Sequence, residues 1–117
     1  MDDVFSFEVL PEHFIATQDN VQYMMTLADE SMQLIITSPP YNIGKSYETK
    51  LSIDVYLQQQ RIVIKECTRL LKVGGSICWQ VGNYISHGEI LPLDIALYPM
   101  FVEYGLKLRN RIIWHYE

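Results

Sequence analysis

Two short apolar runs bracket one long amphipathic helix, and this arrangement does most to limit what the chain can fold into. Residues 33–37 (QLIIT) are apolar on both faces, as expected of an interior parallel strand. Residues 76–81 (SICWQV) read as a second buried strand. Between them, residues 52–72 carry Tyr56, Val63, Cys67, Leu70 and Leu71 as an apolar stripe at helical spacing. Ser52 or Asp54 caps the start of that helix, and Gly74-Gly75 is expected to stop it.

The remaining segments continue the alternation. Residues 13–17 (HFIAT) are a short strand candidate. Asp19 or Asn20 caps a helix over 21–27, where Val21, Met24, Met25 and Ala28 recur at helical spacing. Residues 42–51 form a polar loop with Gly44. Pro92 opens a helix that runs through Tyr104 and is closed by Gly105, with Pro99 expected to kink or split it. Residues 106–116 alternate as a strand: Leu106, Leu108, Ile112 and Trp114 face one side, and Lys107, Arg109 and Arg111 the other. Strands alternating with helices imply an α/β fold with a mostly parallel sheet flanked by helices.

At 117 residues and 49% hydrophobic, the chain is long enough for one core. No apolar run approaches the roughly 18 residues of a membrane span, and the acidic start MDDVFSFEVL lacks the basic region of a signal peptide. Cys67 and Cys78 have no metal spacing and read as reduced thiols of a cytoplasmic protein, both packed in the core. His13, His87 and His115 share no spacing with acids or cysteines, so no metal site is expected. The net charge of −5 is uneven: residues 1–60 sum to −7 and residues 61–117 to +2. An acidic total argues against tight nucleic-acid binding by this chain alone, because phosphate contacts need Lys and Arg.

The first apolar run leads directly into Ser38-Pro39-Pro40-Tyr41. Prolines fix φ and remove backbone donors, so this segment is rigid and rich in carbonyl acceptors. In parallel sheets ligands bind at the carboxyl ends of strands, which is where the tetrapeptide falls. Such acceptors suit a planar exocyclic amine. Its nitrogen must become tetrahedral to attack a methyl donor, and acceptors aimed at its N–H bonds favour that change. Ser38 Oγ is one acceptor and the Pro39 carbonyl the other, while the Tyr41 ring can stack on the base, worth on the order of 1–3 kcal/mol. A plain rigid loop after a strand is the competing reading of these four residues.

Three stretches taken in order, DESMQLIITSPPYNIG, RLLKVGGSICWQVGN and YGLKLRNRIIWH, resemble the S-adenosylmethionine-dependent amino-group DNA methyltransferases. These enzymes methylate cytosine N4 or adenine N6, often within restriction–modification systems. The resemblance covers about residues 13–116. It implies a partial Rossmann-like methyltransferase sheet, Ser38, Pro39, Pro40 and Tyr41 as the catalytic motif, S-adenosylmethionine as cofactor, and a base flipped out of double-stranded DNA. Serine at position 38 is associated with cytosine N4 in this family, and adenine N6 is the alternative. Asp19 matches a position near the cofactor, although a helix cap explains it equally well. Lys107, Arg109 and Arg111 are the DNA-contact candidates, ahead of the helical stripe Arg61, Lys65, Arg69 and Lys72.

The six glycines (Gly44, Gly74, Gly75, Gly82, Gly88, Gly105) do not form a cofactor-binding fingerprint. The order of motifs matches the permuted class of the family, in which the catalytic motif comes first. Residues 1–117 are therefore expected to be the N-terminal catalytic subdomain, without the Gly-rich motif or a target-recognition region. Such a piece is a fragment, a truncated reading frame or half of a split enzyme, inactive alone. Its partners would be DNA, the remainder of the enzyme and a restriction endonuclease of the same system. A catalytically inactive module that self-associates through a bare sheet is the rival.

Overall fold

A computed structural model describes residues 13–42 and 51–115. The element order is α1 (Asn20–Met24), β1 (Met32–Thr37), α2 (Ile53–Leu70), β2 (Leu71–Trp79), β3 (Asn83–Ser86), β4 (Glu89–Pro92) and α3 (Leu93–Glu103). Most of the expected 42–51 loop, with Gly44 and Tyr47, lies outside the described residues.

β1 and β2 pair in parallel, with Leu34 opposite Ser76 and Thr37 opposite Trp79. The crossover is α2. Ser52 caps it by accepting from the Val55 N–H at 3.4 Å, and Tyr56, Gln60, Ile64, Cys67 and Leu70 are its buried residues. Ile64 and the polar Gln60 thus belong to the stripe, whereas Val63 is only half-buried. Ile64 packs with Leu97 and Met100 of α3, and Trp79 of β2 closes the cluster, meeting Phe101 edge-on at 5.4 Å.

Gly74-Gly75 does not stop α2. The helix ends at Leu70, and Leu71 is already extended at the head of β2. The glycines instead lie where the β1–β2 register slips, between the Met32–Leu71 and Leu34–Ser76 pairs. Gly74 takes φ +84, and a Cβ on Gly75 would stand 2.8 Å from the Gln33 carbonyl. They serve a bulge in the strand, where a left-handed residue and a close backbone approach are both needed.

Gly105 does close α3. It has φ +88; its N–H reaches Val102 O, and Leu106 N–H reaches Phe101 O, both at 3.0 Å. This pair of bonds is a Schellman cap. Pro99 sits inside α3 without splitting it. Residues 83–92 form the β3–β4 hairpin, where the sequence pattern predicts no element before Pro92. Its two-residue turn is His87-Gly88, with φ 53 and φ 82, the left-handed pair that matches strand twist.

Two expected strands are not formed. Residues 13–17 and 106–115 carry no strand, and strand geometry persists only where a backbone ladder satisfies it. Ile15 and Ile112 are each 91% exposed. The Phe14 ring stacks instead on Tyr23 at 6.0 Å. Helices α2 and α3 cover one face of the β1–β2 pair; on the other, Leu34 and Ile36 are 53% and 70% exposed, and Cys78, expected in the core, is exposed beside them because it shares their uncovered face. The interior strand expected at 33–37 is therefore covered on one side only among the described residues.

Arg69 fastens α1 to α2. Its guanidinium donates to Met24 O at 2.7 Å, Leu27 O at 3.0 Å and Asp29 Oδ1 at 2.5 Å, and pairs with Glu66 at 3.1 Å. Arg61 pairs with Glu103 of α3 at 2.7 Å. Two members of the basic stripe on α2 are thus joints between elements.

Burial pushes the Cys67 thiol up to about 11, and Cys67 is only 4% exposed. Alkylation by iodoacetamide at pH 8 is expected to label Cys78 within minutes and to spare Cys67 until the chain unfolds, because the thiolate is the nucleophile. Peptide mass mapping reads both sites. Protection of Cys78 that grows with protein concentration would report a second copy on the bare sheet face.

Candidate active site

Ser38, Pro39, Pro40 and Tyr41 leave the carboxyl end of β1 and line a cleft of about 180 Å³. The strand ends at Thr37, whose carbonyl accepts from the Gln80 N–H at 3.0 Å. Beyond that bond the two prolines offer no N–H, so the ladder stops and the loop is free to turn. Ser38 Oγ and Tyr41 Oη lie 3.2 Å apart, a hydrogen bond in which either hydroxyl can donate. Both residues expected to meet a base, one through an acceptor and one through a ring, therefore face the same opening. Its volume is below the roughly 300–1,000 Å³ usual for small-molecule sites.

Three contacts hold the loop. Tyr56 Oη on α2 donates to the Pro40 carbonyl at 2.5 Å. Asn42 is 2% exposed and left-handed at φ 62, a conformation asparagine tolerates well. Its side chain donates to Leu51 O at 2.8 Å and accepts from Leu51 N–H at 2.6 Å. Gly82, just past β2, lies against the Tyr41 ring, and a Cβ there would stand 3.1 Å from Tyr41 Cδ2.

Tyr56 carries no functional signal in the sequence because its ring fits the apolar stripe of α2. A lone glycine directly after a strand, as Gly82 is, does signal a close approach. Asn42 is legible as part of the motif but not as a clamp.

The other expected site residues lie outside the cleft. Asp19 is the cap of α1, accepting from the Gln22 N–H at 3.0 Å. Arg111 pairs with Asp94 in the first turn of α3, and Lys107 and Arg109 are exposed beyond that helix. Trp114, which the sequence pattern sets on the apolar strand face with Leu106, Leu108 and Ile112, is 76% exposed. Among the described residues no cluster of His, Cys, Asp or Glu is suited to a metal, and no helix is long and apolar enough to cross a membrane.

The chain is 42% identical over 97 residues to the Type II methyltransferase M.BglII of Bacillus subtilis, covering 82% of this chain and 27% of that one. It is 31% identical over 104 residues to the DNA adenine methyltransferase YhdJ of Escherichia coli K12, covering 85% of this chain and 32% of that one. A crystal structure of a protein assigned as a DNA modification methylase from Thermus thermophilus superposes with a TM-score of 0.72 at 27% identity, over 84% of this chain and 42% of that one. The chain thus spans about a third or less of these curated relatives. Residues 32–117 match the DNA methylase family of N6 and N4 methyltransferases, a stretch that contains β1, the Ser38–Tyr41 loop and everything that braces it, and the chain belongs to that family.

Proposed function

We propose that this chain carries the catalytic segment of a site-specific DNA methyltransferase, acting on an exocyclic base amine, with cytosine N4 favoured. The observation that supports this reading best is the shared cleft: Ser38, Pro39, Pro40 and Tyr41 line one opening at the end of a parallel strand, with Ser38 Oγ 3.2 Å from Tyr41 Oη. A flipped base would stack on Tyr41 and donate its amine hydrogens to Ser38 Oγ and the Pro39 carbonyl. As the nitrogen becomes tetrahedral these acceptors stabilise the positive charge that develops on it. A serine hydroxyl is too weak a base to take the proton outright, so it leaves to water after transfer.

S-Adenosylmethionine supplies an electrophilic methyl group when bound. The described residues do not enclose a space of cofactor size at Ser38, and Asp19 already uses its carboxylate as a cap. In this reading the donor is held chiefly by the remainder of the enzyme, and Asp19 contributes at most an edge. In this reading the exposed Lys107 and Arg109 would meet DNA phosphates, and Arg111 would first have to leave Asp94. The bare face with Leu34 and Ile36 is where the remaining part of such an enzyme would pack.

Adenine N6 is the second reading, favoured by the likeness to YhdJ, a DNA adenine methyltransferase. The full-length enzyme, incubated with duplex DNA and labelled S-adenosylmethionine, decides between them after digestion to nucleosides. N4-methyldeoxycytidine is the expected product by mass spectrometry. N6-methyldeoxyadenosine would establish the second reading, and unlabelled DNA would reject both.

A further inference from the structure

The position of Tyr56 gives it a role beyond packing. It is 3% exposed on the first turn of α2, and its hydroxyl donates to the Pro40 carbonyl at 2.5 Å. Pro39 and Pro40 have no N–H, so the only backbone groups by which this stretch can be tethered are its carbonyls. One of them must stay available to the base amine. We propose that Tyr56 is a positioning residue for methyl transfer: by occupying the Pro40 carbonyl it fixes the loop and leaves the Pro39 carbonyl directed at the amine. This rests on the methyltransferase reading above.

The neighbouring contacts give the tether its effect. Two residues beyond Pro40, Asn42 exchanges two hydrogen bonds with the backbone of Leu51, which immediately precedes the Ser52 cap of α2. Tyr41 is therefore held between two residues that are both tied to the start of the same helix. On the far side its ring rests against Gly82, where no side chain intervenes. A loop anchored on both flanks cannot retreat as the amine hydrogens swing toward their acceptors, and such preorganisation acts on the transition state more than on the bound ground state.

Tyr56→Phe removes only the hydroxyl and keeps the buried ring. In the full-length enzyme the single-turnover rate of methyl transfer to duplex DNA is expected to fall about tenfold, the worth of one well-made hydrogen bond. DNA and S-adenosylmethionine affinities should stay within about twofold, since binding does not need the loop held to the same tolerance. An unchanged rate would overturn the proposal. So would a rate loss matched by equal losses of affinity and melting temperature, which is the signature of a structural residue. If the wild-type enzyme methylates nothing, the function reading falls, and amide exchange in this chain still decides the tether. Exchange at Tyr41 and Asn42 should then quicken about tenfold in Tyr56→Phe with α2 unaffected; equal exchange in the two proteins would remove the tether as well.

Discussion

Ser38→Ala in the full-length enzyme is expected to cost about 2–4 kcal/mol in the rate of methyl transfer, the usual loss for one preorganised hydrogen-bond partner of a developing charge. Cofactor affinity should hardly change. The hydroxyl is exposed at the mouth of the cleft and its intramolecular partner is Tyr41 Oη at 3.2 Å. Removing it opens no core cavity and strands no buried group, so stability should move by less than about 1 kcal/mol. The interaction with the amine strengthens only as the nitrogen becomes tetrahedral, which places the loss in the rate and not in binding. Single-turnover kinetics alongside cofactor titration separate the two. Equal falls in rate and cofactor affinity would make Ser38 a structural residue of the loop.

Tyr41→Ala is expected to lose roughly 1–3 kcal/mol of base capture, the worth of one stacked base. A 2-aminopurine placed at the target position should then lose its fluorescence rise on binding, or show altered quenching. The ring is half-buried, packed on Gly82 and outside the Ile64–Leu97–Met100 core. A packing role would instead lower stability by about 3–5 kcal/mol and leave the base-flipping signal normal in the folded protein. On the stacking role alone, Tyr41→Phe keeps most activity. The hydrogen bond to Ser38 adds a second contribution, because the phenol hydroxyl helps orient Ser38 Oγ. Loss of that neutral, exposed bond should cost no more than about 1 kcal/mol, so phenylalanine should remain far closer to the native rate than alanine.

What the sequence determined by itself is what local chemistry can specify. The β1–α2–β2 unit was legible because uninterrupted apolar runs and a period near 3.6 separate strand from helix within a few residues. Asp19, Ser52 and Gly105 cap their helices through bonds to residues close in sequence, so the sequence narrowed the caps to Asp19 or Asn20, Ser52 or Asp54, and Gly105. The candidate site stood out for a related reason: two prolines after an apolar run mark the end of a strand, and serine and tyrosine beside them bring an acceptor and a ring. The likeness of the ordered motifs to a family of methyltransferases then gave that chemistry a substrate class.

Tertiary structure alone decided how distant segments share their backbone groups and surfaces. Gly74 and Gly75 looked like a helix stop, yet the approach of the Gln33 carbonyl, from the far side of α2 in the chain, makes them a bulge. Arg69 looked like one cation of a solvated stripe until the carbonyls of Met24 and Leu27 came within reach. Tyr56 read as an apolar stripe residue, and only the packing of α2 beneath the loop turned its hydroxyl toward Pro40. The alternation at 106–115 is a strand pattern without a ladder among the described residues, because periodicity sets which face a side chain takes and a neighbour must supply the hydrogen bonds. Covalent order carries the first kind of information; the second exists only once the chain has closed on itself.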